Sequence, residues 1–211
     1  MRRAPRITDS IYLITDRHQV AQGRSLTETV EEALTAGVRM IQLREKDLSA
    51  AELWPLCQQL RQLTRLFKAK LIINDRIDLA LACDADGVHL GTHSLPAAEA
   101  RQLLGPDRLI GVSTHSADEI RFADTMGADF CTFGPVFSTP SKIGFGPPQG
   151  LTKLQRACLQ SDMPIFALGG IKPSQAREVL AHGAYGIAVI SAIIAADDPA
   201  LVTREFIRIL E

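Results

Sequence analysis

The sequence lacks three features that would assign it to a class directly. Its 211 residues include four cysteines, none in a C-x-x-C pair, so we expect neither a disulfide framework nor a structural zinc site. Its 23 basic and 24 acidic residues leave a formal net charge of −1, which offers nucleic acid or an anionic membrane no general attraction. No stretch approaches the roughly 20 apolar residues of a membrane span. An anionic ligand would therefore have to be bound by a local cluster of charges.

The composition that remains is that of an ordinary globular protein. Hydrophobic residues make up 46% and charged residues 22%, which fits one domain over residues 1–211. No linker or low-complexity stretch divides the chain. The N-terminal residues have no apolar core of the kind found in secretion signals, and the scattered cysteines fit reduced thiols. We expect a cytoplasmic protein, alone or as a homo-oligomer, whose partners are small molecules rather than nucleic acid or a membrane.

Short apolar runs recur along the whole chain. Their continuous hydrophobicity indicates strands that are buried on both faces, as in a parallel sheet. The eight runs read IYLIT, VRMIQLR, AKLIIN, GVHLG, RLIGVS, FCTFGPVF, PIFALGG and GIAVIS.

The stretches between these runs have helical patterns. In SLTETVEEALTAG, Ser25 is the predicted N-cap with Glu28 three residues later, and Gly37 is the predicted C-cap. Eight strand–helix units in 211 residues predict the α/β class and a single-domain (β/α)8 TIM barrel. A doubly wound sheet is the alternative, although it seldom needs eight uninterrupted alternations.

In such a barrel the active site lies where the strands end, so the residues after each run matter most. Gln42, Arg44 and Lys46 alternate after the second run, and would share one face if the strand continues. Two cations and an amide there suit a phosphate or a pyrophosphate. The alternative is a solvated strand end at which Arg44 pairs with Glu45 or Asp47.

The third and fifth runs are followed by a different set of polar residues. Asn74 and Asp75 follow the third run, where Asp75 is a candidate Mg²⁺ ligand unless one of the two caps the next helix. Ser113 and His115 follow the fifth run. A single loop histidine is more often structural than catalytic.

The last three runs lead into polar loops. Thr139, Ser141 and Lys142 follow the sixth run, Gly170 follows the seventh, and Ser191 ends the eighth. Loops after strands 7 and 8 are the usual phosphate site of this barrel. Together with the cationic loops, they indicate two anion sites, and so a reaction that joins two phosphorylated molecules.

Seven stretches of the chain carry a resemblance to a known family. In order and spacing they resemble the thiamine phosphate synthase family, whose sibling is the thiazole tautomerase. This resemblance implies a Mg²⁺-dependent condensation of hydroxymethylpyrimidine diphosphate with a thiazole phosphate, which gives thiamine phosphate and pyrophosphate. The stretches are YLITDR, IQLREKD, INDRIDLALACDADGVHLG, GVSTH, FGPVFSTPSK, FALGGI and GIAVISAI.

The resemblance also assigns roles to individual positions. It implies a metal ligand at Asp75, with pyrimidine and diphosphate ligands at Gln42, Arg44, Lys46, Asn74, Ser113 and Lys142. It implies a thiazole phosphate pocket at Thr139, Ser141, Gly170, Ile190 and Ser191.

One position departs from the family pattern. After GVHLG the synthases commonly have an acid that gives the metal a second carboxylate, whereas this chain has Ser94. The tautomerase needs a histidine proton shuttle at the position of His115, although synthases also have a histidine there. The intact QLREK and ND stretches favour the synthase. The tautomerase and a non-catalytic phosphate-binding regulatory protein are the alternatives.

Overall fold

A computed structural model describes residues 7–139 and 146–210. Eight parallel strands pair in chain order, and the eighth pairs with the first to close a barrel. The strands are β1 Ile11–Ile14, β2 Met40–Leu43, β3 Lys70–Asn74, β4 Gly87–Leu90, β5 Leu109–Thr114, β6 Phe130–Phe133, β7 Ile165–Leu168 and β8 Gly186–Val189. The predicted (β/α)8 barrel is confirmed, and each predicted run contains one strand.

Helices follow the strands and cover the outside of the barrel. The boundaries of the first helix follow its capping residues: Ser25 and Glu28 form a capping box, and Gly37 ends the same helix, as the sequence predicts. The helices are α1 Leu26–Ala36, α2 Ala50–Leu66, α3 Ile77–Ala82, α4 Ala97–Leu104, α5 Ala117–Thr125, α6 Gly150–Leu159, α7 Pro173–Ala181, α8 Ser191–Ile194 and α9 Pro199–Leu210. A short 3-10 helix, Arg17–Gln19, follows β1.

The apolar side chains form two cores, because alternate strand residues face opposite sides of the barrel wall. The larger core lies between the strands and the helices. The smaller core fills the barrel and includes the rings of Tyr12, Phe130 and Phe166. Tyr12 contacts both phenylalanines, with ring centroids 5.5 and 5.6 Å apart. The barrel is therefore packed rather than hollow.

The remaining predictions about the fold concern cysteines and membrane spans. All four cysteines are free thiols, and Cys57, Cys83 and Cys131 are buried. Within the part of the chain that the structure describes, no helix is both long and apolar enough to span a bilayer.

Candidate active site

A buried chain of polar side chains crosses the barrel interior. The Gln42 amide donates a hydrogen bond to the Tyr12 hydroxyl at 2.7 Å, and this hydroxyl lies 3.4 Å from His89 Nδ1. On the other side of the ring, His89 Nε2 lies 3.0 Å from the Ser113 hydroxyl and 3.5 Å from that of Thr132. These five residues, which we call the floor, connect β1, β2, β4, β5 and β6.

Burial keeps the floor uncharged. Desolvation, together with the nearby charge of Arg44, lowers the pKa of His89 to about 3. Its imidazole is therefore neutral at physiological pH. Desolvation also raises the pKa of Tyr12 well above its usual range. The floor can thus recognise a neutral, hydrogen-bonding ring, and it adds no positive charge beneath such a ring.

Arg44 follows the floor residue Gln42 by two positions, and its charge acts on His89. Strand β2 ends at Leu43, so the predicted alternation does not continue as a strand: Arg44 is half-buried, whereas Lys46 is exposed in a turn. The backbone N–H of Arg44 donates to the Thr15 hydroxyl at 2.8 Å. No ion pair joins the Arg44 guanidinium to another residue of segments 7–139 and 146–210. The alternative that Arg44 pairs with Glu45 or Asp47 is therefore wrong.

Arg17 instead pairs with both of these carboxylates. It forms two hydrogen bonds with Asp47, at 2.6 and 2.5 Å, and a longer one of 3.4 Å with Glu45. The hydrogen bonds between Arg17 and Asp47 raise the pKa of Arg17 and hold the pKa of Asp47 well below its usual range. Both groups are therefore charged at physiological pH. Both acids are thereby paired with Arg17 rather than with Arg44.

Asn74 and Asp75 lie at the end of β3, beside the floor. Asn74 pairs in register with His89, and the Asp75 N–H donates to the His89 carbonyl at 2.9 Å. The N-cap of α3 is Arg76 and has no side-chain capping bond, so the capping alternative is wrong for both residues. Asp75 has a φ of 64° and an exposed side chain. An exposed carboxylate at the mouth is available to a metal that arrives with a substrate.

The acid that the family commonly has is replaced by a residue in a tight turn. The Ser94 hydroxyl accepts the Gly91 N–H at 2.8 Å, and the Ser94 N–H donates to the Gly91 carbonyl at 3.1 Å. Among residues 7–139 and 146–210, no three His, Cys, Asp or Glu side chains are grouped as a metal site. Asp75 remains the candidate carboxylate for a metal at the end of β3.

The segment after β6 runs alongside the end of β7. The Val136 and Phe137 N–H groups donate to the carbonyls of Leu168 and Gly169, at 2.8 and 3.0 Å. Gly170 has a φ of 67°, and a Cβ there would lie 2.6 Å from the Ser138 carbonyl oxygen, so the position excludes a side chain. The half-buried Thr139 follows Ser138 directly, and the Ser138 carbonyl lies beside Gly170 of the β7 loop.

The β8 end supplies the remaining predicted residues on this side. Ile190 packs against the barrel-filling core, and Ser191 begins α8 with its side chain exposed. Ser141 and Lys142 lie outside the described residues. Their predicted roles stay predictions.

His115 does not join the floor. It is exposed, its N–H donates to Glu119 at 2.8 Å, and its Nδ1 lies 3.3 Å from the same carboxylate. These contacts place it at the start of α5. The buried histidine of the site is His89, which the sequence interpretation missed together with Tyr12. A signal existed for His89: it is the polar residue at the centre of GVHLG, a run otherwise made of small or apolar residues.

The fold and the site together define a (β/α)8-barrel enzyme whose polar groups gather at the carboxyl ends of its strands. Residues 11–193 match the family described as thiamine monophosphate synthase. The chain belongs to this family, and the enzyme is a transferase.

Individual relatives support the same assignment. A thiamine-phosphate synthase of Moorella thermoacetica is 47% identical over 182 residues, which cover 86% of this chain and 87% of that protein. One from Roseiflexus sp. is 44% identical over 194 residues, covering 92% and 82%. The structure of a thiamine phosphate pyrophosphorylase from Pyrococcus furiosus is 39% identical, covers 95% of each chain and superposes with a TM-score of 0.87.

Proposed function

We propose that this protein is a thiamine-phosphate synthase, which condenses hydroxymethylpyrimidine diphosphate with a thiazole phosphate and releases pyrophosphate. The observation that carries the proposal is Arg44, a cation without an acidic partner among the described residues, which follows β2 next to a neutral polar floor and acts on His89 through its charge. A substrate with a polar aromatic ring and a diphosphate matches both parts. Family membership supplies the identity of that substrate.

The floor would bind and orient the pyrimidine. Gln42 and Ser113 offer hydrogen-bonding groups that can match ring nitrogens and an amino group, and Asn74 extends this set at the end of β3. Arg44 and Lys46 would bind the diphosphate, joined by Lys142 of the β6 loop. These contacts hold the bond to the leaving group in one place above the floor.

The reaction needs charge stabilisation rather than a general base. The bond between the pyrimidine methylene and the diphosphate oxygen breaks, and its electron pair leaves with the diphosphate. The thiazole nitrogen then donates its lone pair to the methylene cation and forms the new C–N bond. Arg44, Lys46 and Lys142 would stabilise the negative charge that grows on the leaving group. A neutral His89 avoids repelling the cation, whereas an imidazolium at the floor would oppose it.

The donor set fits Mg²⁺ that is held in part by the substrate. Mg²⁺ is typically bound through one or two carboxylates, water and substrate phosphates, and the exposed Asp75 provides one such carboxylate. When bound, the ion would neutralise part of the charge on the leaving diphosphate. Asp75 would hold it at the edge of the barrel next to Asn74.

The other edge of the mouth would hold the second substrate. The half-buried Gly170 would offer its backbone to a phosphate, and Ser191 would offer an exposed hydroxyl. Thr139 and Ser141 would close this pocket from the β6 loop, and Ile190 would contact the thiazole. The phosphorylated substrates and the free thiols support an assignment to the cytoplasm.

The test is an assay of the purified protein with both phosphorylated substrates, with and without Mg²⁺, following pyrophosphate and thiamine phosphate. We expect stoichiometric formation of both products, dependent on both substrates. Isomerisation of a thiazole carboxylate phosphate without condensation, abolished by His115→Asn, would replace this proposal with the tautomerase. Binding without either reaction would indicate a regulatory protein.

A further inference from the structure

The loops after β1 and β2 are held together by a compact network beside the anion site. Thr15 donates through its hydroxyl to Glu45 at 2.6 Å, and its backbone N–H donates to the Gln42 carbonyl at 2.9 Å. The other Glu45 oxygen accepts the backbone N–H of Arg17 at 3.0 Å. The Glu45 side chain is only 1% exposed. A buried carboxylate therefore fixes the segment that carries Arg44.

Arg17 is the cation of this network. Its guanidinium contacts the buried Glu45 and forms a two-point bond with Asp47, which also lies 3.0 Å from His18 Nε2. Glu45 and Asp47 are one and three residues from Arg44 in the chain. Without Arg17, these two carboxylates would lose their cationic partner, and Arg44 is the arginine next to them in the chain.

We propose that Arg17 is a positioning residue of the diphosphate pocket: by binding Glu45 and Asp47 it keeps Arg44 available to the substrate. Arg17 touches no substrate in this assignment and acts through the two acids. The inference rests on the proposed function, because it concerns the same anion pocket. It goes further because it gives a role to Glu45, Asp47 and Arg17.

The test compares one substitution, Asp47→Asn, in two backgrounds. The first is the parent protein, in which Arg17 already holds Asp47. The second is Arg17→Met/Glu45→Gln, in which the buried carboxylate is neutralised along with its cation so that folding is preserved. The readout is the dissociation constant of inorganic pyrophosphate in the presence of Mg²⁺, measured by titration calorimetry without turnover.

In the parent, Asp47→Asn should change pyrophosphate binding by less than about twofold, because the carboxylate is already paired. In the second background the released Asp47 competes for Arg44, so pyrophosphate should bind about tenfold more weakly than in the parent. Adding Asp47→Asn there should restore most of that loss. The KM for the diphosphate substrate should follow the same pattern, with the KM for the thiazole phosphate unchanged.

Arg24→Met is the matched control, because Arg24 has a similar side-chain exposure, 31% against 29%, and its ion pair, with Glu32, involves neither Glu45 nor Asp47. It should leave pyrophosphate binding unchanged, and thermal melts of every variant check that it is folded. Equal effects of Asp47→Asn in the two backgrounds would overturn this inference alone. A parent protein that does not bind pyrophosphate would overturn it together with the anion pocket.

Discussion

His89 shows how one buried side chain can adjust both the site and the stability of the protein. It is 3% exposed, and both of its ring nitrogens face hydroxyl groups rather than carboxylates. Nothing on the floor compensates a positive charge on the ring, and Arg44 adds repulsion. The same arrangement that keeps a developing cation unopposed therefore makes protonation of His89 unfavourable in the folded state.

The first prediction concerns this histidine. Its pKa is about 3 when folded and about 6.5 when unfolded, so between these values the unfolded state binds the proton. Its contribution should therefore make the protein less stable as the pH falls from 6.5 towards 3, by an amount on the order of 4 kcal/mol. In His89→Gln, which cannot titrate, the slope of unfolding free energy against pH should flatten in this window. Urea unfolding at several pH values measures it, and an unchanged slope would contradict the buried neutral assignment.

The second prediction concerns Lys142, which lies outside the described residues and has its role from the family resemblance. Lys142→Ala should lower kcat on the order of 10²-fold, because one stabiliser of leaving-group charge is removed, while the melting temperature barely changes. Lys153→Ala removes an equivalent charge from α6, where the lysine bonds Gln149, and serves as the control. Condensation at the parental rate by Lys142→Ala would show that this loop does not act on the diphosphate.

Among individual residues, the sequence was most informative about those at strand ends. Gln42, Arg44, Asn74 and Ser113 could be placed because each follows or ends an apolar run. That Glu45 and Asp47 pair with Arg17 rather than with Arg44 could not be predicted, because Arg17 reaches them across 28 and 30 residues and only the closed barrel makes them neighbours. The burial that keeps His89 neutral depends on the same long-range packing, so it could not be predicted from the sequence either.

Among the elements, a repeated contact secures the end of the barrel opposite the site. Asp129, just before β6, accepts the Ile110 N–H at 2.7 Å and Arg101 Nη2 at 2.6 Å. Asp86, just before β4, does the same with the Leu71 N–H at 2.8 Å and with Arg61 Nη1 at 2.6 Å. In each case one carboxylate joins a strand to its neighbour and to a helix. Substitutions at this face of the barrel should therefore change the stability of the protein and leave its activity unchanged.

The third prediction follows from this contact. Asp129→Ala should lower the free energy of unfolding by about 1–3 kcal/mol, because it leaves the Ile110 N–H without its side-chain acceptor and Arg101 without its carboxylate. The kcat/KM should stay within about twofold of the parent. The control is Asp118→Ala, whose carboxylate is 83% exposed and pairs with Arg121 on the same helix. A large loss of kcat/KM without loss of stability would contradict the division between the two faces.

The order of the elements was predictable, whereas some of their ends were not. The run FCTFGPVF predicts a strand of eight residues, yet β6 stops at Phe133. The next residues, Gly134 and Pro135, interrupt the strand, since proline has no N–H for the ladder. Val136 and Phe137 then bond to the end of β7 instead. Their apolar character reflects packing against the larger core, which resembles strand burial in the sequence.

For the whole molecule, a net charge of −1 means that affinity for two anionic substrates must come from local arrangement. Arg44 and Lys46 follow β2, and the acids beside them in the chain, Glu45 and Asp47, are paired with Arg17. Asp75 is the exception, an exposed carboxylate left beside the proposed diphosphate site. It would repel that substrate unless a cation came between them. Metal binding and substrate binding should therefore favour each other, and both should stabilise the folded protein.

The last prediction uses this linkage. With Asp75 as the protein carboxylate and Ser94 engaged in its own turn, Mg²⁺ alone should barely raise the melting temperature, whereas Mg²⁺ with pyrophosphate should raise it by several degrees. Ser94→Asp keeps an oxygen for the Gly91 N–H and adds a second carboxylate. Mg²⁺ alone should then stabilise the variant, and the Mg²⁺ concentration for half-maximal activity should fall. Without metal, repulsion between the two acids should weaken pyrophosphate binding. An unchanged Mg²⁺ midpoint in Ser94→Asp would mean that position 94 does not face the metal.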